Sequence, residues 1–478
     1  MPYRLISVIG MVSLMLGCAK PAVDQTRSEQ WFKQGKAAAE KIKQQTVLNT
    51  QAAKNIVLVV GDGMGITTLT AARIFNGQQQ GNTGEENQLS FEAFPHVALI
   101  KTYNTDQQTP DSAGTMTALI SGEKTDAGVL GVKASAERGN CASMAEAGTK
   151  LNTLADLAAK LGKKTAVVTT TRVTHATPAA TYAHSVERNW ESDDKLPESA
   201  QANGCKDIAS QFVDNWAKHQ LDVLLGGGRR HFLPESAGGK RKDGVDLTQR
   251  WQQQGGVYLT DADQLAAMPV SDKPVLGLFS ASHIEYAYQR PDQQPGLQAM
   301  TAAALKQIQG NEEGYLLVIE AGRIDHGHHA GQAYKALTET EELHQTIGWL
   351  QEQIDLEETL IIVTADHSHT LTLLGYPTRG NPVLGRIRTN RGEVLDYPTL
   401  NYRNGPGAAR WHKHSYDEYD SAADSGQVFQ PALVPLEYET HGGEDVALYA
   451  AGPWAHLFGG TMEQHWVYHV MEHAFRPE

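Results

Sequence analysis

The chain has 478 residues, a length that allows about three domains or one large elaborated domain at roughly 150 residues each. Hydrophobic residues make up 40% and charged residues 20%, and this balance excludes a disordered or coiled-coil protein. The net charge is -14 and the longest basic cluster is the short segment 239–242, so nucleic-acid binding is not expected. An anionic substrate would need local cations, and the 19 histidines offer ligands that can hold them.

The N-terminus resembles an export signal. Arg4 precedes an apolar run from Leu5 to Gly17, which is too short to span a bilayer but suits a signal peptide. Because the run ends at Cys18 after a small residue, it is similar to a bacterial lipoprotein signal; an ordinary signal peptide with an incidental cysteine is the alternative. We therefore predict removal of residues 1–17, export to the periplasm or cell envelope, and a membrane tether through a lipidated Cys18.

Two cysteines remain after the signal, besides Cys18. They are Cys141 and Cys205. In an oxidising compartment, two leftover thiols are most simply explained by one disulfide, and two buried free thiols are the alternative. Export favours the disulfide.

The mature chain begins with a polar segment at 18–53, which we interpret as a tether and an N-terminal arm with a helix-compatible stretch at 28–45. Beyond it, buried apolar runs alternate with helix-compatible segments, a pattern that predicts an α/β fold with a mostly parallel sheet covered by helices on both faces. The predicted strands are 56–60, 165–168, 221–225, 315–319, 360–363 and 446–450, and the predicted helices are 67–75, 152–161, 207–219, 297–308 and 332–354.

One stretch departs from this alternation. Residues 376–435 are rich in Gly, Pro, Arg, Asn and Tyr and show no regular succession of strands and helices. We therefore expect an α/β core at 54–375, an inserted excursion at 376–435, and a return to the core at 436–478.

Several predicted strands are followed by carboxylates. The acids are Asp62, Glu320, Asp325 and Asp366, and each lies where a strand ends or in the loop that follows. In an open parallel sheet, ligands bind at the carboxyl ends of the strands. A single aspartate there would be an ordinary turn residue, but acids and histidines after three strands favour a metal site.

Spacing and ligand type narrow the choice of metal. Asp325 and His329 are four residues apart, so a helical turn would bring both side chains to one ion. Mixed carboxylate and imidazole ligands suit zinc, whereas an all-oxygen set suits magnesium. Two zinc ions roughly 3.5–4 Å apart would suit an in-line phosphoryl displacement.

Ser112 is the candidate nucleophile. It precedes a helical stretch, and from this segment alone the favoured interpretation is an ordinary helix N-cap. A helix N-terminus also favours an anion, so beside a zinc ion the same hydroxyl could be held as an alkoxide and attack phosphorus.

Seven short motifs follow one another along the chain: VGDGMG at 60–65, DSAGT at 111–115, TTTRVTHATP at 169–178, RNW at 188–190, EAGRIDHGHH at 320–329, TADHSH at 364–369 and ETHGGED at 439–445. Taken together, these motifs resemble the alkaline phosphatase family, most closely its animal-type branch. The resemblance covers nearly the whole mature chain, from about Lys54 to the C-terminus.

The resemblance implies roles for individual residues around a phosphate. Ser112 would be the nucleophile that becomes a phosphoserine, and Arg188 would grip the phosphate with its planar fork. His326 would lie at the edge of the phosphate site. His175 would lie in the outer shell of a magnesium ion.

The resemblance also implies two zinc ions and one magnesium ion. Their ligands would be Asp325, His329 and His441 for the first zinc; Asp62, Ser112, Asp366 and His367 for the second zinc; and Asp62, Thr177 and Glu320 for magnesium. An extra calcium site of animal-type members is not expected, because Ser280 stands where the family has an acid. Three other histidines, His369, His412 and His414, are expected to be structural or at the surface.

Two further expectations come from the resemblance. Cys141 and Cys205 match the positions of a family disulfide. Residues 376–435 correspond to an excursion that forms a crown at a dimer interface, which implies a homodimer.

The expected activity is hydrolysis of phosphate monoesters to an alcohol and inorganic phosphate. The alternatives are a phosphodiesterase or sulfatase of the same superfamily, or an exported phosphate-binding protein without turnover. Sulfatases use a Cys/Ser-x-Pro-x-Arg motif that is absent here, and the related diesterases usually carry Thr where Ser112 stands. A binding protein should have lost a catalytic position, and none is lost.

Overall fold

The computed structural model describes residues 30–38, 48–219, 221–410, 419 and 422–477. The chain divides into two compact units, Met1–Val47 and Leu48–Glu478. In the first unit, residues 30–38 are helical, inside the stretch predicted to be helix-compatible. The predicted signal peptide, Cys18, His412 and His414 lie outside the described residues.

The second unit contains all the strands of the described chain. They are β1 (Asn55–Gly61), β2 (His96–Lys101), β3 (Lys164–Arg172), β4 (Leu221–Gly227), β5 (Val257–Leu259), β6 (Val275–Leu278), β7 (Tyr315–Ala321), β8 (Thr359–Thr364), β9 (Ser368–His369), β10 (Leu371–Leu373), β11 (Arg386–Arg388), β12 (Val394–Pro398), β13 (Leu400–Gly405), β14 (Ala432–Pro435), β15 (His441–Gly442), β16 (Val446–Ala451) and β17 (Gly460–Glu463).

The α-helices of this unit lie between the strands. They are α1 (Ile66–Gln79), α2 (Ser112–Ser121), α3 (Leu154–Lys160), α4 (Ala176–Ala179), α5 (Glu198–Ala202), α6 (Ile208–His219), α7 (Leu247–Gln253), α8 (Ala262–Ala266), α9 (Leu297–Ile308), α10 (Arg323–His329), α11 (Ala333–Gln351), α12 (Gly407–Arg410) and α13 (Trp466–Phe475). None of these described helices combines the length and apolar character needed to cross a membrane.

The main sheet of the described residues has ten strands in the order β17-β2-β16-β8-β1-β7-β3-β4-β6-β5. Strand β16 is antiparallel to both of its neighbours, β8 and β2, and every other pairing in this sheet is parallel. A mostly parallel sheet flanked by helices is confirmed. Strands β1, β7 and β8 are buried at every position, because a parallel sheet covered on both faces needs apolar side chains on both.

The predicted strands all lie inside observed ones, but the prediction missed others of the same sheet. Strand β2 alternates buried and exposed side chains and so lacks the continuous apolar run of a central strand. Strand β6 has four residues, β5 has three and β17 has four, which is too short for a clear periodic signal.

The strand order brings the acidic strand ends together. Strand β1 lies between β7 and β8, and Val60 pairs with Glu320 on one side and with Thr364 on the other. Asp62 follows β1 and Asp366 follows β8, so the three carboxylates meet at one edge of the sheet.

Segment 376–435 contributes only small sheets among its described residues. Strand β13 pairs with β10 and β14, and β11 pairs with β12. Elsewhere, Cys141 and Cys205 form a disulfide, which confirms the predicted pairing.

Candidate active site

Helix α2 places a hydroxyl group at its own N-terminus. The N-cap is Asp111, whose carboxylate accepts a hydrogen bond from the N–H of Gly114 at 3.1 Å. Ser112 is therefore the first helical residue and not the N-cap, so the interpretation favoured from the segment alone is wrong. The Ser112 hydroxyl lies instead 3.1 Å from Nε2 of His367, where the helix N-terminus favours an anion.

A first cluster of candidate metal ligands surrounds this hydroxyl. Nε2 of His367 lies 3.4 Å from Oδ1 of Asp62 and 3.5 Å from Oδ2 of Asp366, and all three side chains are buried. Their ligand atoms lie within 4.8 Å of one another, close enough to bind one ion. The hydroxyl of Thr115 and the N–H of Gly63 donate to the Asp366 carboxylate at 3.2 and 3.1 Å and fix its orientation.

A second cluster forms where α10 meets β15. Nε2 of His329 lies 3.2 Å from Oδ1 of Asp325, and Nε2 of His441 lies 3.4 Å from the same oxygen. The four-residue spacing on α10 brings Asp325 and His329 together as expected. The two Nε2 atoms are 3.1 Å apart.

Main-chain carbonyls orient the histidines of both clusters. In each ring Nδ1 faces a carbonyl oxygen: Pro110 for His441, Glu439 for His329 and Ser368 for His367. An N–H at Nδ1 leaves the lone pair of Nε2 for a metal ion, and this is how metal-binding histidines are commonly held. Two such lone pairs 3.1 Å apart, on His329 and His441, repel each other unless a cation lies between them.

A third cluster consists of buried oxygens without hydrogen bonds. Among the described residues, neither carboxylate oxygen of Asp62, nor Oε1 of Glu320, nor the hydroxyl of Thr177 has a hydrogen-bond partner. Thr171 donates to the other oxygen of Glu320 at 2.9 Å, which leaves Oε1 for a ligand. His175 offers a ring nitrogen within 4.8 Å of Asp62 and Glu320. Unpaired buried oxygens are costly, so this set fits a bound cation.

The electrostatics of the metal-free site point the same way. Burial, reinforced by Asp366, Asp325 and Glu320, raises the pKa of Asp62 well above its ordinary value. Burial also raises the pKa of Glu320 to about 7. These carboxylates can be charged together at neutral pH only if positive charge is bound among them.

Arg188 is bound to Asp111, the residue that precedes Ser112. Its Nη1 donates to Oδ2 of Asp111 at 2.8 Å, and its Nη2 donates to Nε2 of His175 at 3.3 Å. Burial acts to raise the pKa of Asp111, but Arg188 and the N–H of Gly114 outweigh it, and this pKa is lowered. Because Asp111 caps α2 and also binds Arg188, one carboxylate ties the guanidinium to the end of the helix where Ser112 lies. Next to them, the ring of His326 lies 5.6 Å from that of His175.

One further histidine of this site was given no role in the chemistry from the sequence. His369 was expected to be structural or at the surface; it is 1% exposed, which excludes the surface, and it lies with Asp325, His367 and His441 in one group of close ligand atoms. It follows His367 by two residues in the motif at 364–369, and that spacing was the available signal. Glu439, also buried, belongs to the same region.

The loop that would carry a calcium site is built differently. The carbonyl of Ser280 accepts the N–H groups of Gly228 and Arg229, each at 3.0 Å. Within the part of the chain that the structure describes, no cluster of potential metal ligands lies at this loop.

Comparisons with known proteins agree with this geometry. A sequence model of the alkaline phosphatase family matches residues 53–476. The tissue-nonspecific alkaline phosphatase of Homo sapiens is 41% identical over 448 residues, which cover 89% of this chain and 84% of that protein. The alkaline phosphatase of Gadus morhua is 40% identical over 450 residues, which cover 89% and 92%.

Solved structures share the fold. The alkaline phosphatase of Thermus thermophilus superposes with a TM-score of 0.65 at 24% identity, covering 91% of this chain and 94% of the other. That of the Antarctic bacterium TAB5 gives 0.63 at 21% identity, covering 89% and 99%. The fold and the clusters at its edge are those of a metal-binding hydrolase. The chain belongs to the alkaline phosphatase family. It is an enzyme that hydrolyses phosphate monoesters, and the family implies divalent metal ions.

Proposed function

We propose that Ser112 is the nucleophile of this hydrolysis and is converted to a phosphoserine, with two zinc ions and one magnesium ion as cofactors. The observation that carries the proposal is the position of the Ser112 hydroxyl, at the N-terminus of α2 and 3.1 Å from Nε2 of His367.

The proposed metal ligands follow from the three clusters. Ligand sets that mix carboxylate and imidazole suit zinc, and a set of oxygens suits magnesium. The sets are Asp325, His329 and His441 for the first zinc; Asp62, Asp366, His367 and Ser112 for the second; and Asp62, Thr177 and Glu320 for magnesium, with His175 outside the ligands.

The reaction proceeds in two displacements at phosphorus. When bound, the cations would supply positive charge to the attacking and leaving oxygens and would make water a stronger nucleophile. Oγ of Ser112 forms a bond to phosphorus while the bond to the alcohol oxygen breaks, and the alcohol leaves with a proton. Water then attacks the phosphoserine, which releases inorganic phosphate and restores the hydroxyl. Arg188 holds phosphate oxygens throughout, because its fork donates in the plane that two of them define.

The alcohol part of the substrate has room on the side of the second cluster. A cavity of 310 Å³ adjoins His329 and is lined in part by Phe429, Tyr438, Arg410 and Glu437. The guanidinium of Arg410 lies 4.7 Å from the ring centre of Phe429. We assign this cavity to the leaving alcohol. The side chains that line the cavity can contact aromatic or polar groups of that alcohol.

We also propose export to the periplasm or cell envelope, with Cys18 as the point of lipid attachment. The disulfide between Cys141 and Cys205 supports export, because disulfides persist in oxidising compartments. Mass spectrometry of the protein purified from membranes tests it. A mature N-terminus at Cys18 with attached acyl chains is expected, and an unmodified Cys18 would contradict the tether.

A homodimer through segment 376–435 is proposed as well. Tyr376 is 93% exposed and Leu433 is 72% exposed, and a homodimer interface in this segment would cover such apolar side chains. Sedimentation equilibrium should give twice the chain mass. Replacement of both residues by serine should shift the protein toward monomer.

The central proposal is tested by trapping the phosphoenzyme. Protein incubated with inorganic phosphate at acidic pH should carry one phosphate on the peptide that contains Ser112, detected by mass spectrometry. Hydrolysis of p-nitrophenyl phosphate should be lost to chelation and restored by zinc and magnesium together. A phosphate found on another residue, or full activity in chelated protein, would overturn the assignment.

A further inference from the structure

We propose that His283 positions Arg188 for phosphate binding by supporting a wall of three imidazole rings, His175, His283 and His326. The inference rests on the proposed role of Arg188 as the group that grips the phosphate. No part of the mechanism above uses His283, and none of the motifs that carry the family resemblance contains it.

The backbone brings His283 to the carboxyl ends of the strands. Residues 279–284 follow β6 and cross the ends of β3 and β4. The N–H of Ile284 donates to the carbonyl of Thr170 at 3.0 Å, and the N–H of Gly228 donates to the carbonyl of Ser282 at 2.7 Å. The residue between these two anchors is His283, so its backbone is held on both sides.

The ring of His283 is oriented from behind by Arg172, the last residue of β3. Nε and Nη2 of Arg172 donate to the two carboxylate oxygens of Glu191, each at 2.7 Å, and Nη1 donates to Nε2 of His283. A guanidinium cannot accept a hydrogen bond, so Nε2 of His283 must be the acceptor and its proton lies on Nδ1. Burial, together with His326 and Arg172, holds the pKa of His283 well below its ordinary value and keeps the ring neutral.

The front of the His283 ring contacts the other two imidazoles. Its centre lies 4.2 Å from that of His326 and 5.6 Å from that of His175, and the latter two are 5.6 Å apart. Among the described residues, Nδ1 of each of these rings has no hydrogen-bond partner. The orientation of the wall therefore depends largely on ring packing, and His283 is the member fixed to the scaffold.

One ring of the wall, His175, contacts Arg188, the residue proposed to hold the phosphate. Nε2 of His175 accepts a hydrogen bond from Nη2 of Arg188 at 3.3 Å, and Asp111 accepts from Nη1 at 2.8 Å. Loss of the His283 ring would let His175 and His326 turn into the space left behind. The Arg188 fork would then keep only its contact with Asp111, and its plane would be less well defined.

The test separates substrate binding from turnover. His283→Ala should raise KM for p-nitrophenyl phosphate and the inhibition constant of inorganic phosphate about tenfold, the size of one hydrogen bond to a charged group, with kcat changed less than about twofold. His283→Phe restores a ring of similar size and should bring KM back to within about threefold of the original. His469→Ala is the matched control, because that side chain is 56% exposed.

A double-mutant cycle with Arg188→Lys shows whether His283 acts through Arg188. In the Arg188→Lys background, His283→Ala should raise KM by less than about twofold, since the group it positions is already gone. If the alanine variant does not fold, His283→Gln replaces it; glutamine still accepts from Arg172 but lacks the ring.

Three outcomes would overturn the inference: an unchanged KM and inhibition constant, a loss confined to kcat, or fully additive effects in the cycle. If Arg188→Lys alone leaves KM and phosphate inhibition unchanged, the proposed function of Arg188 fails instead. That result is distinct, because it does not involve any His283 variant.

Discussion

Nε2 of His369 lies 2.8 Å from Oδ1 of Asp325, and Nδ1 of the same ring lies 2.6 Å from Oε2 of Glu439. Burial alone would lower the pKa of His369, but Glu439 and Asp325 outweigh it and raise the pKa to about 10. Both ring nitrogens therefore carry protons in the metal-free site. His369 holds Asp325 in place and leaves metal binding to its neighbours.

Replacing His369 should therefore weaken zinc binding. We expect His369→Ala to lower zinc affinity about 10- to 100-fold, because groups that orient metal ligands typically contribute this much. Competition with a chromophoric chelator measures the affinity. His469→Ala serves as the exposed control, and an unchanged zinc affinity in His369→Ala would refute the positioning role.

Ser112→Ala should abolish turnover and spare the fold. The variant lacks the attacking oxygen, so kcat for p-nitrophenyl phosphate should fall about 10⁴-fold or more, by analogy with other nucleophile deletions. Ser121→Ala, at the opposite end of α2, is the matched control. Elemental mass spectrometry measures the bound zinc and magnesium. Their amounts should fall by no more than the loss of one proposed ligand, the Ser112 hydroxyl, would cause. Turnover like that of the original protein would exclude Ser112 as the nucleophile.

Arg188→Lys should weaken binding of substrate and product together. An ammonium ion cannot reproduce the planar pair of hydrogen bonds, and a loss of about 1.5–3 kcal/mol corresponds to roughly 10- to 150-fold in KM and in phosphate inhibition. Arg138→Lys is the control, because that side chain is 46% exposed and pairs with Glu187 at 2.9 Å. Equal behaviour of the two variants would argue against a phosphate contact.

Metal removal should make stability depend on pH. Burial raises the pKa of Glu320 from its ordinary 4.5 to about 7, so the folded metal-free protein binds this proton more tightly than the unfolded chain. The stability it contributes is fully present below pH 4.5 and is lost as the pH rises toward 7. Thermal unfolding of chelated protein should show Tm falling across that window. In Glu320→Gln the fall should be shallower, and an equal slope in both proteins would contradict the assignment.

The disulfide should stabilise the fold without taking part in the chemistry. It closes a loop with a sequence separation of 64, for which chain entropy predicts about 4 kcal/mol. Urea unfolding of a Cys141→Ser, Cys205→Ser variant measures the loss, and kcat at 25 °C should stay near that of the original protein. A large fall in kcat with unchanged stability would reverse this expectation.

Much of the sheet was accessible from sequence because central parallel strands are apolar throughout. The run at 56–60 and the acid at Asp62 could be assigned from pattern alone. His441 could not, because a single loop histidine carries no local signal, and only the family resemblance singled it out. From its own segment alone Ser112 was expected to cap the helix, whereas the cap is Asp111, because local sequence does not show which of two adjacent capping residues takes that position.

Strand β16 is antiparallel to its neighbours in the main sheet and lies between β8 and β2. Until this late segment of the chain has folded, β2 is not joined to β8 and the sheet is in two parts. His441, just before it, donates to the carbonyl of Pro110, which lies 331 residues earlier in the chain. A growing polypeptide therefore contains Ser112, the proposed nucleophile, long before it contains His441, the proposed zinc ligand. On the proposed assignment, the enzyme is inactive through most of its synthesis and becomes active only when the C-terminal end folds back across the sheet.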